Sequence, residues 1–149
     1  MTDSDANLML AEVQAANAEL ARRAVAPIWY HPALGLLIGG LIAVQGARPA
    51  FLGACYALFG IGLFMLVAAY KKHTGLWVSG YRPGRTRVVA IGLAVTLTLI
   101  MFGSLWLQRS AGVTWAMLLG GGISAVITTA GGFVWEAAFR RDLREGGGL

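Results

Sequence analysis

Charge is scarce in this sequence. Only 13 % of its 149 residues are Asp, Glu, Lys or Arg, and 57 % are hydrophobic; soluble domains carry about 25 % and 45–50 %. Such a chain cannot cover a water-facing surface, which excludes an ordinary soluble globular domain and points to the membrane. Cysteine is reduced to Cys55, so an internal disulfide and a cysteine-based metal site are both excluded. Histidine occurs twice, as His31 and His73, too far apart and with too few companions for a metal centre. No cofactor is expected. His31, directly before Pro32, reads as a residue that helps to begin a helix.

Catalytic signatures are missing as well. The chain has no H-E-x-x-H, no G-x-S-x-G and no P-loop. Arg82-Pro83 follows two lysines, but at the wrong spacing for a membrane-type lipid phosphatase, and no histidine lies beyond residue 73. A non-enzymatic protein is expected.

Long apolar runs are what the sequence does have. Four of them, 28–46, 50–70, 88–107 and 113–135, each approach the ~20 residues needed to cross a bilayer. None carries an Asp, Glu, Lys or Arg, and none leaves the polar face that a soluble bundle helix needs. The sequence therefore predicts an all-α polytopic membrane protein. It comprises an N-terminal amphipathic helix within residues 1–27, four antiparallel spans forming a bundle over 28–139, and a tail over 140–149.

A net charge of +5 is compatible with nucleic acid, but the basic residues sit at the ends of apolar runs, where anionic headgroups lie. Nucleic acid is not expected as a partner. Ten of the twelve Lys and Arg residues (Arg22, Arg23, Lys71, Lys72, Arg82, Arg85, Arg87, Arg140, Arg141 and Arg144) fall on one side of a four-span threading; Arg48 and Arg109 fall on the other. The positive-inside rule then places both termini and the middle loop in the cytoplasm. The acidic start "MTDSDANLML" lacks the basic n-region of a cleaved signal peptide. The short links at "ARP" and "QRSAG" imply tight antiparallel hairpins that pair spans one with two and three with four. Before the first span, residues 5–26 read as a helix with Met9, Val13, Ala16 and Leu20 on one face. This helix suits the inner headgroup region or a coiled-coil contact.

Small residues are patterned. Gly35, Gly39 and Ala43 recur every fourth position in the first span, and Gly53 and Ala57, with Gly60 a turn on, do so in the second. In the fourth, Gly120, Ser124 and Thr128 form one row, with Gly121, Ala125, Thr129 and Gly132 beside it. Helices in lipid gain little by hiding leucine and much by close backbone approach, so these rows predict helix–helix contacts. The fourth span has enough small residues for one contact inside the bundle and another outside it, to a second copy or another membrane protein. A wall beside a permeation path is the alternative. Ser124 and Thr128 are expected to bond carbonyls of their own preceding turn. Gln45, Thr96, Thr98 and Ser104 are the other embedded polar groups, read as ties between helices.

Small multidrug transporters also have four spans and a glycine-bearing fourth span. This chain lacks the acidic residue that such transporters carry in the first span; its nearest is Glu136, beside Trp135 at the inner end of the fourth. The middle loop offers "RPGR", a type II turn pattern, which brings Arg82 and Arg85 together near Lys71, Lys72 and Arg87, with Trp77 and Tyr81 at headgroup depth. The group reads as topogenic charge or as a clamp for anionic lipid phosphate.

The stretches "ARRAVAPIWYHPALGLL" and "AAYKKHTGLWVSGYRPGR" resemble those of small four-span membrane proteins of high-GC actinobacteria, a group to which no function is attached. The resemblance implies a bacterial inner membrane and carries over no functional residue. A scaffold or regulatory subunit is the first functional expectation, a small dimeric transporter or channel the second, and a module for anionic lipid the third.

Overall fold

The computed structural model describes residues 3–23, 26–75 and 85–144. These form five α-helices: α1 (Asp3–Arg23), α2 (Tyr30–Ala43), α3 (Pro49–Thr74), α4 (Arg85–Ser110) and α5 (Ala116–Arg144). Among the described residues there is no strand. Three helices, α3, α4 and α5, are long and apolar enough to cross a membrane, with mean hydropathies of 2.2, 2.3 and 1.6 over their best stretches.

The first apolar run is shorter than expected. Instead of filling residues 28–46, α2 starts at Tyr30 and tightens after Ala43 into a 3-10 turn over Val44–Gly46. Seventeen residues reach about 25 Å, less than the ~30 Å hydrocarbon core. Proline sets both limits. The Tyr30 amide closes a turn on the Pro27 carbonyl at 2.9 Å, and Pro32 occupies the first turn, where a missing N–H costs nothing. At the other end Arg48, held before Pro49, is extended (φ −62°, ψ 139°), because the proline ring disfavours a helical predecessor. Pro49 then opens α3 as its first residue.

Glycine marks the ends of α3 and α4. Gly75 closes α3 in the left-handed region (φ 66°) and donates its N–H to the Lys71 carbonyl, beside Lys71 and Lys72, whose positive charge suits a helix C-terminus. Gly112 (φ 70°) reverses the chain between α4 and α5.

The helices lie in an open row, α3–α2–α5–α4, not in a closed bundle. The α2–α5 interface is the most extensive, α4 packs on the other flank of α5, and α3 reaches only α2 and its 3-10 turn; α3 and α4 share no substantial contact. Only 6 % of the most apolar stretch of α3 or α4 is buried, against 28 % of that of α5. Phe51, Leu58, Phe64 and Met65 on α3, and Val95, Leu99, Phe102 and Trp106 on α4, are exposed. A closed bundle would have needed α3 and α4 to meet.

The N-terminal helix is α1. It runs over Asp3–Arg23 and touches α5, but Leu8, Met9, Leu10 and Val13 are all exposed.

Candidate functional site

The site grows from the crossing of α2 and α5. A Cβ added to Gly39 would lie 2.5 Å from the Gly121 carbonyl oxygen, and one added to Gly121 would lie 2.6 Å from the Gly39 carbonyl oxygen and 2.7 Å from Ala43 Cβ. A Cβ on Gly35 would meet the Ala125 carbonyl oxygen at 2.5 Å and collide with Thr129 Oγ1. Ascending α2 from residue 35 to 43 thus descends α5 from 129 to 121, so the two run antiparallel. On the other flank, Gly120 faces Ser104 and Gly131 faces Leu93, which makes α4 and α5 antiparallel too.

Continued one turn toward the basic end, this register brings His31 to Glu136. His31 Nε2 lies 2.9 Å from Glu136 Oε2, and the two side chains are only 6 % and 9 % exposed. With the carboxylate ionised, Nε2 carries the hydrogen and donates it. The imidazole fits because residue 132 is glycine: His31 Nδ1 occupies the place where a Cβ of that residue would stand. Aromatic rings wall the pair. The Phe133 and Tyr30 rings lie 4.7 and 5.4 Å from the imidazole, and Tyr70 reaches across from α3 to within 4.9 Å of Tyr30. Trp29 contacts His73 at 6.2 Å, and Trp135 stacks on Phe139 at 5.3 Å. Taking an ionisable group out of water is costly unless it is paired, and this couple satisfies the condition through one hydrogen bond. His31 Nδ1 has no hydrogen-bond partner in the chain.

The central hydroxyls behave differently from one another. Thr96, Thr98 and Thr129 each donate to the carbonyl four residues earlier, at 2.8 Å, so Thr96 and Thr98 tie no helices together. Ser124 and Thr128 do not take that option. Both are fully buried, and both hydroxyl oxygens lack a partner in the chain, contrary to the back-bonding that the sequence suggests. At the far end Gln45 bonds the Leu41 carbonyl (3.1 Å) and accepts from the Tyr56 hydroxyl (2.9 Å), tying α3 to the 3-10 turn. Gln108 of α4 reaches the Gly46 carbonyl at 3.5 Å.

The other candidate residues divide into two sets. Gly35, Gly39, Ala43, Gly121, Ala125 and Gly132 meet in the α2–α5 crossing, and Gly120 meets α4. A Cβ added to Gly53 or Gly60 would meet nothing within 4 Å, and Ala57 is exposed. Lys71, Lys72 and Arg87 are exposed at the end of the row that holds the His31–Glu136 pair. Arg85 opens α4, its side chain outside the described residues; Arg82, Trp77, Tyr81 and the RPGR turn lie outside them altogether. Among the described residues no three His, Cys, Asp or Glu side chains gather as metal ligands.

The His31–Glu136 pair is what sequence reasoning missed. His31 is more than a helix-starting residue, and Glu136 lies within α5, where the two meet. Two signals bear on it. Glu136 stands one turn after Gly132 on the small-residue face, and any antiparallel threading puts residues 31 and 136 at the same end.

The described chain is thus an all-helical protein of membrane type, with a glycine-welded central helix pair that encloses one ionisable couple. Compared with known proteins, it matches no family model, no curated protein and no solved structure.

Proposed function

We propose that this chain is a four-pass protein of a bacterial inner membrane, cytoplasmic at both ends, that works as an assembling scaffold or regulatory subunit without catalysis of its own. In this reading α2 with its 3-10 turn completes the crossing with α3, α4 and α5, locally thinning the bilayer around its shorter apolar length. The Lys and Arg bias sets the orientation, and Lys71, Lys72, Arg82, Arg85 and Arg87 meet anionic headgroups on the cytoplasmic side. The kinship with small actinobacterial membrane proteins belongs to the same proposal.

The observation that carries the reading is the outward face of α3. Gly53, Ala57 and Gly60 follow one another there at helical spacing, and both glycines look onto open space. Lipid gains nothing from glycine, whereas a second helix gains close backbone approach. Gly35, Gly39, Gly120 and Gly121 are used in contacts inside the chain, whereas the α3 row faces outward and offers a surface for a second copy or another membrane protein. Gly53→Leu with Ala57→Leu is expected to turn the nanodisc-embedded oligomer, counted by cross-linking, into monomers. An oligomer that withstands both changes, or a wild-type monomer, refutes the reading.

A small transporter or channel is the second reading. It draws on the buried His31–Glu136 couple, because ionisable groups inside a membrane protein mark ion and proton pathways.

A further inference from the structure

Every fourth residue of α5 from 120 to 136 is glycine, serine, threonine, glycine and glutamate. This row winds along the seam that α5 makes with α4 and α2. At its first station Ser104 Oγ of α4 sits over Gly120, and at its fourth His31 Nδ1 of α2 sits over Gly132. Between them stand the Ser124 and Thr128 hydroxyls, at 0 % and 1 % exposure and without a partner in the chain. The row ends on Glu136, which His31 Nε2 bonds.

Successive residues of this row stand about 6 Å apart along the helix axis. That interval suits one bridging water, which spans two hydrogen bonds of ~2.8 Å each. An orphaned buried hydroxyl costs roughly 1–3 kcal/mol, and the ordinary remedy, a bond to the carbonyl one turn back, is the one Thr129 takes next door. Ser124 and Thr128 leave that remedy unused, and buried water bonded to two or more polar groups is the other one that proteins use.

We propose that the Gly120–Ser124–Thr128–Gly132–Glu136 face of α5 binds a file of water, and that this file gives the buried His31–Glu136 couple proton exchange with the opposite end of the helices. The exchange step conserves every atom. A hydronium at the end of the file passes one proton to the Nδ1 lone pair and remains as water. The imidazole becomes imidazolium with its Nε2–H still on Glu136, and the couple goes from one negative charge to none. The reverse step empties it. Tyr30 and Tyr70 border the couple from α2 and α3, and Arg140 follows Glu136 by one turn on α5.

The inference deepens the transport reading but does not share its fate, because the test reads water and not flux. The full chain in lipid bilayers is examined by water-edited solid-state NMR, together with exchange of water protons at His31 Nδ1. Magnetisation from water is expected to reach Ser124, Thr128 and His31 at least ten times faster than the outward-facing Val126 of the same helix. Thr128→Val and Ser124→Ala, with helix content and elution unchanged, are expected to slow exchange at the His31 ring at least ten-fold. Build-up at Ser124 and Thr128 no faster than at Val126 overturns the proposal. So does ring exchange indifferent to both substitutions. If those substitutions disturb folding, the wild-type build-up alone decides.

Discussion

Gly39 and Gly121 come together so closely that a single added methyl on either would press against the carbonyl oxygen of the other, at 2.5 and 2.6 Å. The contact is backbone on backbone, and neither partner can rotate out of the way. It fixes how far α2 can slide along α5, and with that the meeting of His31 and Glu136 near one end of the crossing.

Gly121→Leu is expected to destabilise the chain by about 3 kcal/mol or more, since overpacking against a rigid neighbour already costs roughly 1–3. Gly122 is the control. It belongs to the same run of glycines but looks onto open space, so Gly122→Ala is expected to be neutral, or to stabilise by up to about 1 kcal/mol through helix propensity. Reversible unfolding in mixed micelles measures both. Equal losses at the two positions would mean that the close approach does not hold the helices.

Removing one member of the buried pair leaves the other buried alone. Glu136→Ala and His31→Ala are each expected to cost about 3–5 kcal/mol, and the double substitution less than their sum. A double-mutant cycle reads the coupling. Strictly additive losses would show that the two side chains lie close without depending on each other.

Gly132→Ala puts a methyl where His31 Nδ1 stands. The ring must leave, and the 2.9 Å bond to Glu136 goes with it. The expected signature is a His31 ring resonance moved to that of an unpaired imidazole, with helix content unchanged. An unmoved resonance would contradict the placement of the ring.

Thr96→Val and Thr98→Val test the opposite case. Both hydroxyls are exposed and bonded to their own helix, so each change is expected to stay within about 0.5 kcal/mol. The measurement is the same micelle unfolding, and a loss of about 2 kcal/mol at either position, far outside that surface range, would place an unseen partner against α4.

Gly75→Ala forces a side chain into the left-handed region (φ 66°), at a cost of about 1–2 kcal/mol. The effect is expected to stay local, as faster amide exchange over Lys71–Gly75, with the α2–α5 crossing unaltered. Uniform acceleration along α3 would argue that the cap holds more than the helix end.

Much of this molecule can be read along the chain. Hydropathy locates the apolar helices because each window is a local sum, and Pro49, Gly75 and Gly112 mark boundaries through their own dihedral preferences. The small-residue spacing also marks Gly35, Gly39 and Gly121 as residues of one type of surface. Spacing is silent, however, about whether such a surface meets a neighbour. Gly53 and Gly39 look alike in sequence, yet one faces open space and the other a carbonyl oxygen.

Sequence alone determined that this chain folds as apolar helices, with α2–α3 and α4–α5 joined by short turns, because burial preference and chain reversal are properties of neighbouring residues. Tertiary structure alone decided that α5 lies between α2 and α4, that two central hydroxyls go unpartnered in the chain, and that a histidine meets a glutamate 105 positions away. Those outcomes depend on which helices approach closely enough to exclude a side chain. That distance is set by pairs of residues far apart in sequence, and no local pattern encodes it.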